Sequence, residues 1–247
     1  MKNRKFILKI FLLIIAIGIV ISSYNVCSIL FEYKNSDSVY DGISSFATIE
    51  DTDKDIGENS KDGIPNKAVD FEKLREINPD IKGWLYNEGL NIDYPVVQGY
   101  DNNQYLKRLP TGEYSENGTL FFDSGNKKTD KHFLVYGHNM LDGSMFGNLQ
   151  KYSEQEFYNK YPAFYFYEAN DTYKLNVISA HYTSNDDFTY SLGDRLDMKP
   201  YVEYIREKSC IKTNAEYETG DCIITLSTCA YLRNSNRFVV HCLVEKI

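Results

Sequence analysis

The chain has 247 residues, 27 Lys and Arg against 35 Asp and Glu, a net charge of −8, and 15% aromatic residues. That composition excludes wholesale disorder, since 21 Tyr and 14 Phe supply ample surface to bury. The acidic balance argues against non-specific nucleic-acid binding, and no glycine-rich phosphate cradle of either common pattern occurs.

In chain order, residues 1–9 form a basic flank carrying Lys2, Arg4, Lys5 and Lys9. Residues 10–31 follow without a charge, long enough to cross a bilayer as one helix. The charge asymmetry predicts a cytoplasmic N-terminus and an extracytoplasmic remainder. The rival reading is a cleaved signal peptide; it lacks a convincing small-residue cleavage site, and apolar character resumes at Val26–Phe31. Residues 32–65 hold nine acids and three lysines with little apolar periodicity, which reads as a flexible solvated stalk.

A globular domain is expected over 66–247. Phe71, Leu74 and Ile77 share one helical face, and Asn78-Pro79 stops that helix. Strands are expected at 83–86, 92–98, 119–123, 132–136, 163–168, 173–182, 222–228 and 238–244. Ser153-Glu-Gln-Glu156 reads as a capping box opening a helix at 154–160. Tyr201, Tyr204 and Ile205 place a longer helix at 197–208, within the late strands. Eight short strands with few helices point to a closed or nearly closed barrel.

The cysteines are Cys27, Cys210, Cys222, Cys229 and Cys242. Their odd number argues against a fully paired disulfide framework, and the absence of C-x-x-C argues against structural zinc. Cys229 ends a strand and precedes the polar loop 230–236, where a substrate can reach a thiol; Cys222 and Cys242 read as inert core residues. Arg237 opens the next strand and is a candidate oxyanion donor. Arg233, nearer in sequence, lies within the loop and competes with it. His138 ends another strand and is a candidate acid–base group, though spacing alone does not separate it from His132, His181 and His241.

Thr225-Leu-Ser-Thr-Cys229 resembles the TLxTC signature of sortases, the membrane-anchored transpeptidases of Gram-positive bacteria. Further stretches resemble class B sortases: Asp93–Gly99, Asp101-Asn102 with Tyr105-Leu106, Tyr136-Gly-His-Asn-Met140, Gly143–Gly147 and Arg237–Val240. The resemblance runs from about Trp84 to Val244. It implies a mostly β fold, an eight-stranded sortase barrel with N-terminal helices and a longer helix between the sixth and seventh strands.

It also implies a cysteine transpeptidase. Cys229 attacks the carbonyl after a threonine of a sorting signal, His138 handles the protons, and Arg237 holds the signal and stabilises the oxyanion. Asn102, Leu106 and Ser227 match groove positions, whereas Ala230 departs from the acidic residue some relatives carry after the cysteine. The implied partners are surface proteins with a C-terminal NPxTx-like sorting signal, a peptidoglycan precursor or cross-bridge amine, and the membrane. No metal, organic cofactor or nucleic acid is implied. A pilus-polymerising sortase, another cell-wall cysteine transpeptidase and an inactive surface-binding module are the alternatives.

Overall fold

The structure is a computed structural model describing residues 2–49, 65–193, 196–229 and 237–247. It divides into two compact units, Met1–Val39 and Tyr40–Ile247.

In the first unit, helix α1 (Lys2–Ser44, whose last residues belong to the second unit) carries a segment, Lys9–Ser28, long and apolar enough to cross a membrane. Its large apolar side chains from Phe11 to Val20 are exposed, as expected of a helix without a protein core around it.

The second unit starts earlier than the sequence suggests. Tyr40, Ile43 and Ala47 are buried, and the Tyr40 hydroxyl donates to the Gly118 carbonyl at 2.6 Å. Strand β1 (Ala47–Ile49) pairs antiparallel with β2 (Lys67–Val69). The boundary expected at residue 66 therefore moves to Tyr40, and residues 40–49 are not stalk. A low-charge window with three buried side chains is too short to stand out by periodicity. Residues 32–39 of the expected stalk are helical, as a continuation of α1, and residues 50–64 lie outside the described residues.

Helix α2 (Phe71–Ile77) is capped by Asp70, whose side chain accepts the Lys73 amide hydrogen at 3.1 Å. The barrel strands follow: β3 (Ile81–Asn87), β4 (Ile92–Val97), β5 (Leu120–Phe122), β6 (His132–His138), β7 (Ala163–Tyr167), β8 (Thr172–Thr183), β9 (Ile223–Cys229) and β10 (Arg237–Lys246). They close in the order β10-β8-β7-β3-β4-β5-β6-β9. Among the described residues, the β4–β5 and β6–β9 pairs of the barrel are parallel and its other pairs antiparallel. Between β7 and the preceding loop lies α3 (Gln155–Lys160). Its N-cap is Glu154 without a side-chain bond, so the expected capping box at Ser153 does not form. Ser153 ends a 3-10 turn over 149–153, so the extended residue before the helix is Glu154, one position later than expected.

Helix α4 (Met198–Glu207) lies between β8 and β9, the sixth and seventh barrel strands. Met198, Tyr201, Val202 and Ile205 recur at helical spacing and pack with Ile178, Ile223 and Leu243, covering the outer face of β8, β9 and β10. Both faces of β9 are consequently buried, which is why residues 223–228 lack polar–apolar alternation in exposure.

Beneath α4 the strands carry three buried histidines. His132 Nε2 lies 2.7 Å from Thr225 Oγ1 and 2.9 Å from the Tyr201 hydroxyl, and Thr225 Oγ1 lies 2.7 Å from His241 Nδ1. The His181 and His241 rings stack at 5.1 Å. Burial pushes His132 and His181 down to about 4 and holds His241 well below its ordinary value. Cys242 is fully buried and its thiol is pushed up by the same cause. Cys222, by contrast, lies just before β9, half-buried, with Lys131 Nζ 3.8 Å from its sulfur, and is not a core strand residue.

Two expectations follow. Neutral buried histidines take no proton on acidification, whereas the unfolded chain does near pH 6.5. Stability is therefore lost as pH falls from 6.5 towards 4, by about 2 kcal/mol per histidine between pH 7 and 5. Denaturant unfolding across that range checks it, and unchanged stability would show the rings protonated in the fold. Second, a chain lacking residues 1–39 should fold, while one lacking residues 1–65 loses Tyr40, Ile43 and Ala47 and about 3–5 kcal/mol by the same measurement.

Candidate active site

The barrel topology brings three chain-distant positions to one rim. Parallel pairing of β6 with β9 sets His132 opposite Ile223 and, six residues on, His138 opposite Cys229. Both strands therefore end together. β10 runs antiparallel to β9 with Val239 opposite Ser227, so two residues nearer its start Arg237 comes level with Cys229. On its other side Arg237 pairs with Thr183 of β8. Thr228 ties this end together: its Oγ1 accepts the Phe238 amide hydrogen at 2.9 Å. The loop 230–236, with Ala230 and the competing Arg233, lies outside the described residues.

His138 is held by a strap over residues 105–119. Its Nε2 lies 2.5 Å from the Leu106 carbonyl oxygen. A carbonyl only accepts, so in the neutral ring Nε2 carries the hydrogen and Nδ1 is the basic nitrogen. Burial lowers the His138 pKa; the Leu106 hydrogen bond and the Glu116 carboxylate oppose that shift, while Lys107 adds to it. Gly118 makes the close approach possible. It adopts φ +60°, and a Cβ there would lie 2.5 Å from the Leu106 oxygen and 2.9 Å from His138 Cδ2.

Arg237 is aimed by aromatic rings. Its guanidinium carbon lies 5.8 Å from the Tyr136 ring centre and 5.5 Å from that of Tyr190, and the two rings are near parallel at 6.5 Å. Such contacts contribute about 0.5–2 kcal/mol each. Arg237 Nε donates to Asn185 Oδ1. The rings are fixed in turn: Tyr136 donates to Asp123 Oδ2 at 3.0 Å, and the Tyr190 hydroxyl lies 2.9 Å from Ser227 Oγ.

Each expected groove residue joins this framework. Ser227 is buried beneath Tyr190. Asn102 donates to Asp123 Oδ2 at 2.8 Å and accepts the Ser124 amide hydrogen at 2.7 Å. Leu106 is half-buried and offers its carbonyl to His138. The sequence reading missed Tyr136, Tyr190, Asp123 and Asn185. Tyr136 was within reach, because it lies two residues before His138 and shares its face of the strand. Tyr190 had no such signal; it reaches Arg237 only through a short 3-10 turn at 188–190. The remaining histidines belong to the buried network and do not reach this rim. Among the described residues, no group of three or more His, Cys, Asp or Glu is placed to hold a metal.

A closed barrel with a cysteine, a histidine and an arginine at the ends of three adjacent strands carries the residue types that cysteine acyl transfer uses. A family model described as the sortase domain matches residues 85–245. Sortase B of Listeria monocytogenes is 30% identical over 235 residues, 93% of this chain and 92% of that protein. The Staphylococcus aureus sortase B–substrate complex superposes with a TM-score of 0.68 at 33% identity, covering 72% of this chain and 85% of that one. Bacillus anthracis sortase B in complex with AAEK1 gives 0.73 at 30% identity, covering 89% and 100%. This chain belongs to the sortase family, on its class B branch, and is therefore a cysteine transpeptidase.

The Gly118 contact makes a prediction. Gly118→Ala forces the strap away from His138 and should lower peptide cleavage by about 10²-fold. Gly112, at φ +89° with nothing within 4 Å of a Cβ, is the control, since Gly112→Ala bears backbone strain alone. Equal losses in the two variants, measured with folding monitored by circular dichroism, would remove any special role for the strap.

Proposed function

We propose that this enzyme cleaves a C-terminal sorting signal after threonine and transfers the protein to a peptidoglycan amine. The observation that carries the reading is the in-register pairing of His138 with Cys229, with Arg237 on the next strand. The thiolate of Cys229 attacks the threonine carbonyl, and the charge developing on its oxygen is met by the Arg237 guanidinium. His138, acting through Nδ1, gives a proton to the departing amine as the C–N bond breaks, leaving a thioester. An incoming amine attacks the thioester, loses its proton to His138, and releases the cysteine as thiolate.

Arg237 suits this task because its charge persists at any working pH and its planar fork is oriented by Tyr136, Tyr190 and Asn185. Asn102, Leu106 and Ser227 shape the groove through the loop and ring each one fixes. The sorting signal is NPxTx-like and the acceptor is a wall precursor or cross-bridge amine. That the S. aureus relative is solved as a sortase B–substrate complex supports substrate binding by the matching groove of this chain. The apolar segment Lys9–Ser28 anchors the chain in the membrane, and the basic residues before it keep the N-terminus cytoplasmic.

Three variants test the mechanism with a quenched sorting-signal peptide. Cys229→Ala should abolish cleavage and thioester formation, and retained activity would overturn it. Arg237→Lys keeps the charge but loses the fork, and should cost about 10²–10³ in rate, or roughly 2.7–4 kcal/mol of barrier. Arg233→Ala should stay near wild type. A silent Arg237→Lys beside an inactive Arg233→Ala would assign the oxyanion to the other arginine.

A further inference from the structure

The strap that holds His138 is itself built as a closed hairpin. Thr119 donates its amide to the Tyr105 carbonyl at 3.1 Å and Ser115 to that of Lys107 at 3.2 Å; Arg108 bridges Tyr114. Across it, Lys107 Nζ lies 2.9 Å from both carboxylate oxygens of Glu116, and the Tyr114 hydroxyl donates to the same carboxylate. Lys107 directly follows Leu106, whose carbonyl takes the His138 Nε2 hydrogen, and Glu116 lies two residues before the Gly118 contact. The ion pair therefore flanks both points where the strap touches the imidazole.

As a stabilising contact this pair is worth little. Both side chains are about half exposed, at 57% and 49%, and such pairs contribute about 0–1 kcal/mol. The imidazole beside it is half-buried, and charges act more strongly on a group shielded from water.

We propose that Glu116 and Lys107 are positioning residues of opposite sign for His138: the carboxylate favours the imidazolium, the ammonium favours the neutral ring, and together they set the proton inventory of the catalytic histidine from the strap. Among the described residues, the other titratable or charged groups on the strap are Tyr105, Arg108, Glu113 and Tyr114, and the neighbouring strands bring Cys229 across the β6–β9 ladder and Arg237 at the start of β10. The opposing effects of Glu116 and Lys107 on the His138 pKa agree with this placement. The inference rests on the reading of His138 as the proton-transfer group, and it is tested on the ring itself.

The experiment is an NMR titration of the full-length chain in detergent micelles, with histidine rings labelled with carbon-13. The His138 signal is assigned by its loss in His138→Gln. The expected result is a midpoint moved down in Glu116→Gln and up in Lys107→Gln, with Lys107→Arg close to wild type. The three buried histidines should not move. If the pair were only a structural clip, either substitution would break it alike, and His138 would shift in the same direction in both or not at all. That outcome overturns the proposal. In the peptide assay, the pH limb that follows His138 should move with it. At a fixed pH on that limb the two glutamine variants should differ by at least about threefold in kcat/KM. Shifted midpoints without any shifted limb would instead overturn the role of His138 in proton transfer, leaving its electrostatic setting intact.

Discussion

The parallel ladder between β6 and β9 is the constraint on which the rest of the molecule depends. Parallel strands cannot be joined by a tight turn, so the chain between them is spent on β7, β8, α3 and α4. That long excursion is also what closes the barrel, because β8 returns to pair with β10 on the far side of β9. Once β6 and β9 are aligned from His132–Ile223 to His138–Cys229, their ends coincide, and an antiparallel β10 has to begin at the same rim. The site is thus fixed by backbone hydrogen bonds of three strands, the least deformable parts of the fold.

The register is held by polar groups as well as by apolar packing. His132, Thr225, His241 and Tyr201 link β6, β9, β10 and α4 in one buried network. A slip of one residue would turn those polar groups to the opposite face and leave them unsatisfied, at a cost of about 1–3 kcal/mol each. The same helix reaches the rim by a second route. Tyr204 and Lys208 bind Asp187, which caps the 3-10 turn carrying Tyr190 over Arg237. Helix α4 therefore supports both the ladder and the aim of the arginine.

His138 sits between opposing influences. Burial favours its neutral form, while the Leu106 carbonyl and the nearby carboxylate favour the charged one. The proton-transfer role proposed for His138 is served by such a balance, because neither form is strongly trapped. The influence proposed for the exposed Lys107–Glu116 pair on that balance comes from outside the barrel.

The sequence by itself determined the apolar segment, the eight barrel strands to within a few residues, the late helix and the cysteine, histidine and arginine that end strands. Those features are local: period-two and period-3.6 patterns, turn residues, and a short motif around Cys229. Only the tertiary structure decided that His138 and Cys229 are partners in a parallel ladder, since sequence alternation carries no information about which strand lies beside which. It also decided that residues 40–49 belong to the domain, that Ser153 caps nothing, and that Cys222 lies outside the core. Tyr190 over Arg237 and the strap around His138 come from loop and turn segments whose residues have no periodicity; their positions are set by contacts between segments far apart in the chain, and those contacts exist only once the barrel has closed.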